Sequence, residues 1–167
     1  MMKKCKLMPK FLMLLMIGII IIGLFSISRY SYYVSLSCEK LEISKISGKI
    51  YINGNSGWID FKNDGNCTGE GTYSEPYVIE DLVIEGVGSG SYIIIENSDV
   101  YFKIENCTIS GASVSGIRLS NVTNSLLNNN TLNNNDNGIT LIGSNYNTIS
   151  GNIIINNDDQ GIYVYGS

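Results

Sequence analysis

The last third of the sequence nearly repeats itself, and this repeat limits the folds open to the chain. A motif of glycine, isoleucine, a variable residue and an aliphatic residue starts at Gly116, Gly138 and Gly161. The starts are separated by 22 and then by 23 residues. A fixed period of this length indicates one supersecondary unit that stacks on copies of itself, because no single unit can bury a core of its own.

Each unit has the pattern of short strands joined by corners. Apolar residues such as Ile117 and Leu119 alternate with polar ones in brief bursts, and a period of two is typical of strands. Asn, Ser, Gly and Asp separate the bursts, and these residues favour turns. We therefore predict an all-β solenoid of parallel strands, in which Ile117, Ile139 and Ile162 form one inward apolar column with a spacing of about 4.8 Å.

Asparagine supplies 14 of the 37 residues from Asn121 to Asn157. A tract of this composition is also typical of disordered, aggregation-prone segments. The apolar positions keep their register through it, however, and Asn130 and Asn152 occupy one repeat position. We therefore expect order, with stacked asparagine amides that hydrogen-bond along a column.

The segment 137–158, NGITLIGSNYNTISGNIIINND, resembles the repeat of right-handed parallel β-helix proteins. These proteins include the pectate-lyase-like superfamily and the periplasmic copper-binding family associated with nitrous oxide reductase maturation. The resemblance is specific over residues 91–165, weaker over 77–90, and implies a right-handed parallel β-helix. The spacing of the repeat predicts about four turns over residues 77–167. It does not imply an activity, because lyases, hydrolases, epimerases, adhesins and inert spacers share this fold.

The copper role of that family has no matching motif in this sequence. The chain has no histidine, and all five methionines lie within the first 16 residues. Histidine and methionine are two of the usual copper ligands, so we predict no copper site. The aspartate motifs of alginate epimerases and the arginine-rich motif of pectate lyases also have no counterpart in the sequence.

The first 29 residues are predicted to form a hydrophobic helix that serves as a signal peptide or a transmembrane anchor. Four lysines and no acid precede the apolar run 11–25, which is short for a membrane span. Because the lysines stay inside, the rest of the chain is expected to be extracytoplasmic, either membrane-anchored or secreted. Residues 30–76 follow as a spacer, an N-terminal strand and a loop.

From residue 30 onward, 6 basic side chains stand against 15 acidic ones, which gives a net charge of about −9. Such a surface repels phosphate backbones, which argues against nucleic acid as a partner. It also disfavours acidic polysaccharides unless a cation bridges them. The expected partners are therefore the membrane, through the N-terminal segment, and a polysaccharide or other glycan.

The segment 49–55 alternates like a strand that ends in a Gly/Asn turn, and the only tryptophan follows it. We predict that Trp58 and Phe61 plug the open end of the coil, because a solenoid needs an atypical terminal unit. The alternative is that Trp58 stacks on a sugar.

Cys38 and Cys67 flank that strand in an oxidising compartment, so a disulfide between them is one expectation. Cys107 takes the repeat position of Asn130 and is expected to point inward as a small apolar residue. Four Asn-x-Ser/Thr sequons are candidate glycosylation sites, at Asn66, Asn106, Asn121 and Asn129.

Carboxylates are predicted to stack at one corner of adjacent turns. Asp136 and Asp158 are 22 residues apart, and Asp159 follows directly. Their oxygens are candidates for a Ca²⁺ site or for paired acid–base catalysis. The alternative is a solvated turn, where aspartate is common.

A second candidate site is the outward column of Arg118, Thr140 and Tyr163, which would line a shallow sugar-binding surface. Arg118 is the only arginine in the coil. Further tyrosines are candidate stacking rings, namely Tyr92, Tyr101, Tyr146 and Tyr165. Tyrosine is also favoured on strands for ordinary packing reasons, so this pattern is not specific.

The last turn has no polar cap after Ile162 and Val164, and open edges of parallel stacks recruit further strands. End-to-end self-association, fraying and a longer repeat protein are the expected alternatives. The function predicted from all these features is an exported, membrane-anchored cell-surface module with a structural or carbohydrate-binding role. The alternative is a carbohydrate-active enzyme, a polysaccharide lyase or hydrolase, although the sequence shows no complete catalytic set.

Overall fold

The computed structural model describes residues 48–86 and 88–167. The predicted signal peptide or anchor, Cys38 and most of the predicted spacer lie outside these residues. Within the described ranges, no helix is both long and apolar enough to cross a membrane.

The chain coils through three parallel sheets, and successive strands of each sheet come from successive turns. The first sheet contains five strands, β1 (Ile50–Asn53), β4 (Ile93–Ser98), β7 (Ser115–Val122), β10 (Asn137–Ile142) and β13 (Ile162–Tyr165). The second contains β2 (Tyr77–Glu80), β5 (Phe102–Glu105), β8 (Ser125–Asn128) and β11 (Thr148–Ser150). The third contains β3 (Val83–Glu85), β6 (Thr108–Ser110), β9 (Thr131–Asn133) and β12 (Ile153–Ile155). This architecture confirms the predicted parallel β-helix.

The predicted apolar column is present in the first sheet. Ile117 pairs with Ile139, and Ile139 pairs with Ile162, each directly above the other. The column extends back through Ile93 to Ile50, so the first sheet begins before Tyr77. The inward side chains of the three sheets meet in one core, which the period-two alternation of each strand produces.

Asparagine stabilises the corners of the coil in two ways. At outer corners, residues such as Asn97 and Asn121 adopt left-handed backbone conformations with φ of 55° and 53°, which asparagine tolerates. Inside the coil, Asn130 is fully buried. Its Oδ1 accepts from the backbone N–H of Cys107 at 3.0 Å, and its Nδ2 donates to the carbonyl of Ile104 at 2.9 Å. The asparagine-rich tract is therefore ordered, and its amides satisfy backbone groups that the corners leave unpaired.

The N-terminal end of the coil is covered by the helix α1 (Gly54–Asn63). The predicted Gly/Asn turn at this point is wrong, because the helix begins at Gly54. Two glycines make the segment a poor helix former, so tertiary burial of Trp58 stabilises the helix more than its own propensity does.

Trp58 plugs the end of the core. Its ring is 0% exposed, stacks on Tyr77 at 5.2 Å between centroids and contacts Phe102 at 4.7 Å. Its Nε1 donates to Ser98 Oγ at 3.1 Å. The predicted cap is confirmed, and the alternative of a sugar-stacking Trp58 is wrong because no ring surface is accessible.

Candidate functional site

A groove of about 400 Å³ lies on the outside of the second sheet, and we call it the tyrosine groove. Its floor comes from outward residues of β5, β8 and β11, and its walls come from the corners before these strands and from the loop 64–76. The lining residues are Tyr73, Pro76, Tyr101, Phe102, Lys103, Asn124, Ser125, Leu126, Tyr146 and Thr148.

Three tyrosine rings surround the groove. Tyr73 is 83% exposed and Tyr146 is 88% exposed, so neither ring contributes much to the core. Tyr101 is partly exposed and meets Tyr73 edge to face, with 5.4 Å between the ring centroids. Exposed aromatic rings with polar groups beside them are typical of ligand-binding surfaces.

The loop 64–76 brings Tyr73 to the groove through contacts at its centre. The carbonyl of Gly71 accepts a hydrogen bond from the N–H of Tyr101 at 3.0 Å, which ties the loop to the second turn. Lys62 at the end of α1 forms an ion pair of 2.6 Å with Glu70 of the loop. Gly71 has φ of 74°, and a Cβ there would lie 2.5 Å from the ring of Tyr77, so the approach requires glycine.

Polar groups of the groove are basic or neutral. Lys103 is its single charged lining residue, and no carboxylate lines it among the described residues. Asn124 donates from Nδ2 to the carbonyl of Asp99 at 2.8 Å, which holds its amide in place. The groove therefore differs in charge from the rest of the chain after residue 29, which is strongly acidic.

The predicted column of Arg118, Thr140 and Tyr163 is in register on the first sheet. Thr140 is buried, however, and its hydroxyl forms a 2.8 Å hydrogen bond with Ser115. Nε of Arg118 is buried without a hydrogen-bond partner among the described residues. A ligand role for this column stays a prediction.

The aspartate corner is formed as the spacing predicts. The N–H of Asp159 donates to the carbonyl of Asp136 at 2.8 Å, so the two corners lie in adjacent turns. Asp158 and Asp159 are both exposed, and Asn137 donates to the Asp136 carboxylate at 3.3 Å. In the described ranges, no group of three or more His, Cys, Asp or Glu residues is placed to hold a metal ion. Ca²⁺ binding or acid–base catalysis at this corner remains a prediction.

Cys107 points inward as predicted, and burial raises the pKa of its thiol to about 11. Cys67 is half-buried, and desolvation raises the pKa of its thiol to about 11 as well. Its predicted disulfide with Cys38 stays a prediction, because Cys38 lies outside the described residues. The candidate glycosylation sites are exposed, namely Asn66, Asn106, Asn121 and Asn129, and their modification also stays a prediction.

Some of the residues that line the groove are predicted by the sequence. Two of the predicted stacking rings, Tyr101 and Tyr146, line the groove. The prediction for Tyr92 is wrong. Tyr92 is fully buried and donates from its hydroxyl to the carbonyl of Gly111 at 2.6 Å. Tyr73 and Lys103 were missed. The available signal was the separation of 45 residues between Tyr101 and Tyr146, which equals two turns of the repeat.

Comparison with known proteins gives one result. A family model described as periplasmic copper-binding protein (NosD) matches residues 23–167. No match was found among curated proteins or among solved structures. The family's periplasmic location confirms the predicted extracytoplasmic location of this chain.

The described residues of this chain do not fit the copper ion that the family description implies. The chain contains no histidine, and its methionines all precede the described residues. The sulfur ligands within the described part are Cys67 and Cys107, and burial keeps both thiols protonated near neutral pH. The fold and the extent of the match nevertheless agree with the resemblance seen in the repeat, and the chain belongs to the family described as periplasmic copper-binding protein (NosD).

Proposed function

We propose that this protein is an exported β-helix module, held at the cell surface by its N-terminal segment, that binds carbohydrate in the tyrosine groove. The observation that carries the proposal is the placement of Tyr73, Tyr101 and Tyr146 around one groove. A patch of exposed aromatic rings lowers the solubility of a protein and often marks an interaction site. Three exposed tyrosines at one place therefore favour a role in binding.

Sugar chemistry suits the groove. Each pyranose ring has a face of C–H groups that stacks on an aromatic ring, while its hydroxyls hydrogen-bond to polar neighbours. Lys103 and Thr148 supply such polar groups on the floor. The groove volume of about 400 Å³ lies within the range of roughly 300–1,000 Å³ that is usual for ligand-binding sites.

Affinity gel electrophoresis of the full chain tests the proposal. The gels contain hydroxyethylcellulose, glycol chitin, galactomannan or polygalacturonate. We expect retardation by at least one polysaccharide and loss of retardation in a Tyr73→Ala, Tyr101→Ala double variant. The matched control is Tyr51→Ala, because Tyr51 is 59% exposed but lies on the first sheet. Absence of retardation in every gel, or equal retardation of the double variant, would contradict the proposal.

The groove favours binding over cleavage. Hydrolysis of a glycosidic bond ordinarily uses two carboxylates that flank it, and the described lining residues include none. Incubation with the same polysaccharides is therefore expected to release no new reducing ends. Release that depends on Ca²⁺ and disappears in Asp158→Asn would support the enzymatic alternative instead.

The surface attachment has its own test. Replacement of residues 1–29 by a cleavable signal peptide is expected to move the protein from the membrane fraction to the soluble exported fraction. A native chain already found only in the soluble fraction would contradict the membrane attachment and leave the binding proposal intact.

A further inference from the structure

Tyr101, Asn124 and Tyr146 occupy one position in three successive turns. The strands that follow them, β5, β8 and β11, pair in parallel register, so the residues just before these strands are also stacked. Two strand spacings separate Tyr101 from Tyr146, which is about 10 Å. The backbones of the two tyrosines therefore lie in line along the axis of the coil, with Asn124 between them.

Tyr146 holds a backbone conformation that a tyrosine rarely adopts. Its φ is 57°, in the left-handed region, and Asn124 has φ of 62° at the same position one turn earlier. Asparagine tolerates this region, whereas bulky side chains are disfavoured there. Burial does not offset the strain, because the ring is almost fully exposed. A strained residue with an exposed ring at the edge of a groove points to a role in binding.

We infer that the tyrosine groove binds a straight, neutral, β-1,4-linked polysaccharide strand that runs along the axis of the coil. This inference rests on the proposed function and specifies the shape and charge of the ligand. Two tyrosines at one repeat position along one groove fit a flat, extended chain, whereas a helical chain such as an α-1,4-glucan curves away from the second tyrosine. The separation of the two backbone positions is comparable to a disaccharide unit, so sugars stack on Tyr101 and Tyr146 while the sugar between them faces Asn124.

Charge argues for a neutral strand. Lys103 is the single cation of the groove, whereas the exported part of the chain carries 15 acidic side chains. An approaching polyanion is repelled by this surface over a Debye length of about 8 Å at physiological salt. A neutral strand avoids this repulsion and still hydrogen-bonds to the ammonium group of Lys103.

Isothermal titration of the full chain with cello-oligosaccharides and chito-oligosaccharides, from disaccharide to hexasaccharide, tests the inference. We expect the affinity of one series to rise about tenfold or more between disaccharide and hexasaccharide, because only the longer chain spans both rings. Tyr146→Asn places the residue of the preceding turn at this position. This variant is expected to raise the melting temperature by relief of strain and to lower the hexasaccharide affinity up to about tenfold.

Disaccharide binding by Tyr146→Asn is expected to change less than hexasaccharide binding, and Tyr51→Ala again serves as the matched control. Equal affinity for disaccharide and hexasaccharide, or an equal effect of Tyr146→Asn on both, would overturn the axial placement while leaving carbohydrate binding in the groove intact. Tighter binding of oligogalacturonates than of both neutral series would overturn the neutral ligand. Failure of all polysaccharides to bind would instead contradict the proposed function itself.

Discussion

The first and the last described turns of the coil differ in how their apolar residues are covered. At the N-terminal end, α1 covers the first turns, and Trp58 has no exposed surface. In the last turn, Ile162 is 45% exposed, although Ile117 at the same repeat position is fully buried. The repeat is nearly the same in both turns, so the neighbouring layer of chain and not the residue type determines burial.

This difference shows that each turn of a solenoid is stabilised mainly by contact with the turns beside it. A side chain with layers on both sides loses all its contact with water, while the same side chain in the last described turn keeps about half. The exposed apolar residues of that turn are the surface for which end-to-end self-association is predicted.

Substitution Trp58→Ala is expected to have the largest effect. It removes the ring that stacks on Tyr77 and Phe102, which leaves a cavity under α1 and lowers the free energy of unfolding by about 3–5 kcal/mol. Urea denaturation followed by circular dichroism measures the loss. The control is Ile59→Ala in the same helix, where the side chain is exposed and a change within about 0.5 kcal/mol is expected. Equal losses in the two variants would show that the helix does not cap the core.

Ile117 and Ile162 occupy the same repeat position in two turns, so alanine substitutions there compare a covered side chain with an uncovered one directly. Ile117→Ala removes a fully buried side chain and is expected to lower the free energy of unfolding by about 2–5 kcal/mol. Ile162→Ala removes a half-exposed one and is expected to cost about 1 kcal/mol or less. A comparable loss for both variants in the monomer would mean that another segment covers the last turn.

The asparagines inside the coil are expected to differ less in how much each stabilises the fold. Asn130→Ala leaves the N–H of Cys107 and the carbonyl of Ile104 without their amide partner in the core, at a cost of about 1–3 kcal/mol. Asn152 makes similar bonds one turn later but is only half-buried, so water replaces its amide and Asn152→Ala costs less. Denaturation of both variants measures the difference, and a larger loss for Asn152→Ala would be inconsistent with this account.

The last expected effect is a pH dependence in the covered half of the coil, which is absent at neutral pH and develops only at alkaline pH. Burial raises the pKa of Cys107 to about 11, above the value of about 8.5 expected for an unfolded thiol. Between these values the folded state keeps a proton that the unfolded state has lost, so stability falls as the pH rises through this window. Cys107→Ala is expected to lose less stability between pH 8 and pH 11 than the native chain does. Because burial raises the pKa of Cys67 as well, Cys67→Ala is expected to change the pH profile in the same direction. An unchanged pH profile in Cys107→Ala would contradict the assignment.

The fold was predictable because period and alternation are local properties of the sequence. Ile117, Ile139 and Ile162 must lie in one column once each turn has the same length. The helix α1 was not predictable in this way, because its residues have poor helix propensity and only the core beneath Trp58 stabilises it. The burial of Tyr92 was not predictable either, because the alternation within a strand does not show whether the residue just before the strand points inward.

The groove was predictable in part. The equal repeat position of Tyr101 and Tyr146 is visible in the sequence. Tyr73 belongs to no repeat, and its position depends on the hydrogen bond between Gly71 and Tyr101 and on the close approach of Gly71 to Tyr77. Contacts between residues outside the repeat are not encoded by its period.

The sequence by itself determined the parallel coil, the inward columns and the acidic character of the chain. These follow from the length of the repeat, the alternation of side chains and the balance of charges, each of which is a property of neighbouring residues. Only the tertiary structure decided that α1 closes one end, that Tyr73 joins Tyr101 and Tyr146, and that the last turn leaves Ile162 half-exposed. Burial and proximity of distant residues depend on which layers meet in space, and one repeat unit looks the same in sequence whether it is covered or not.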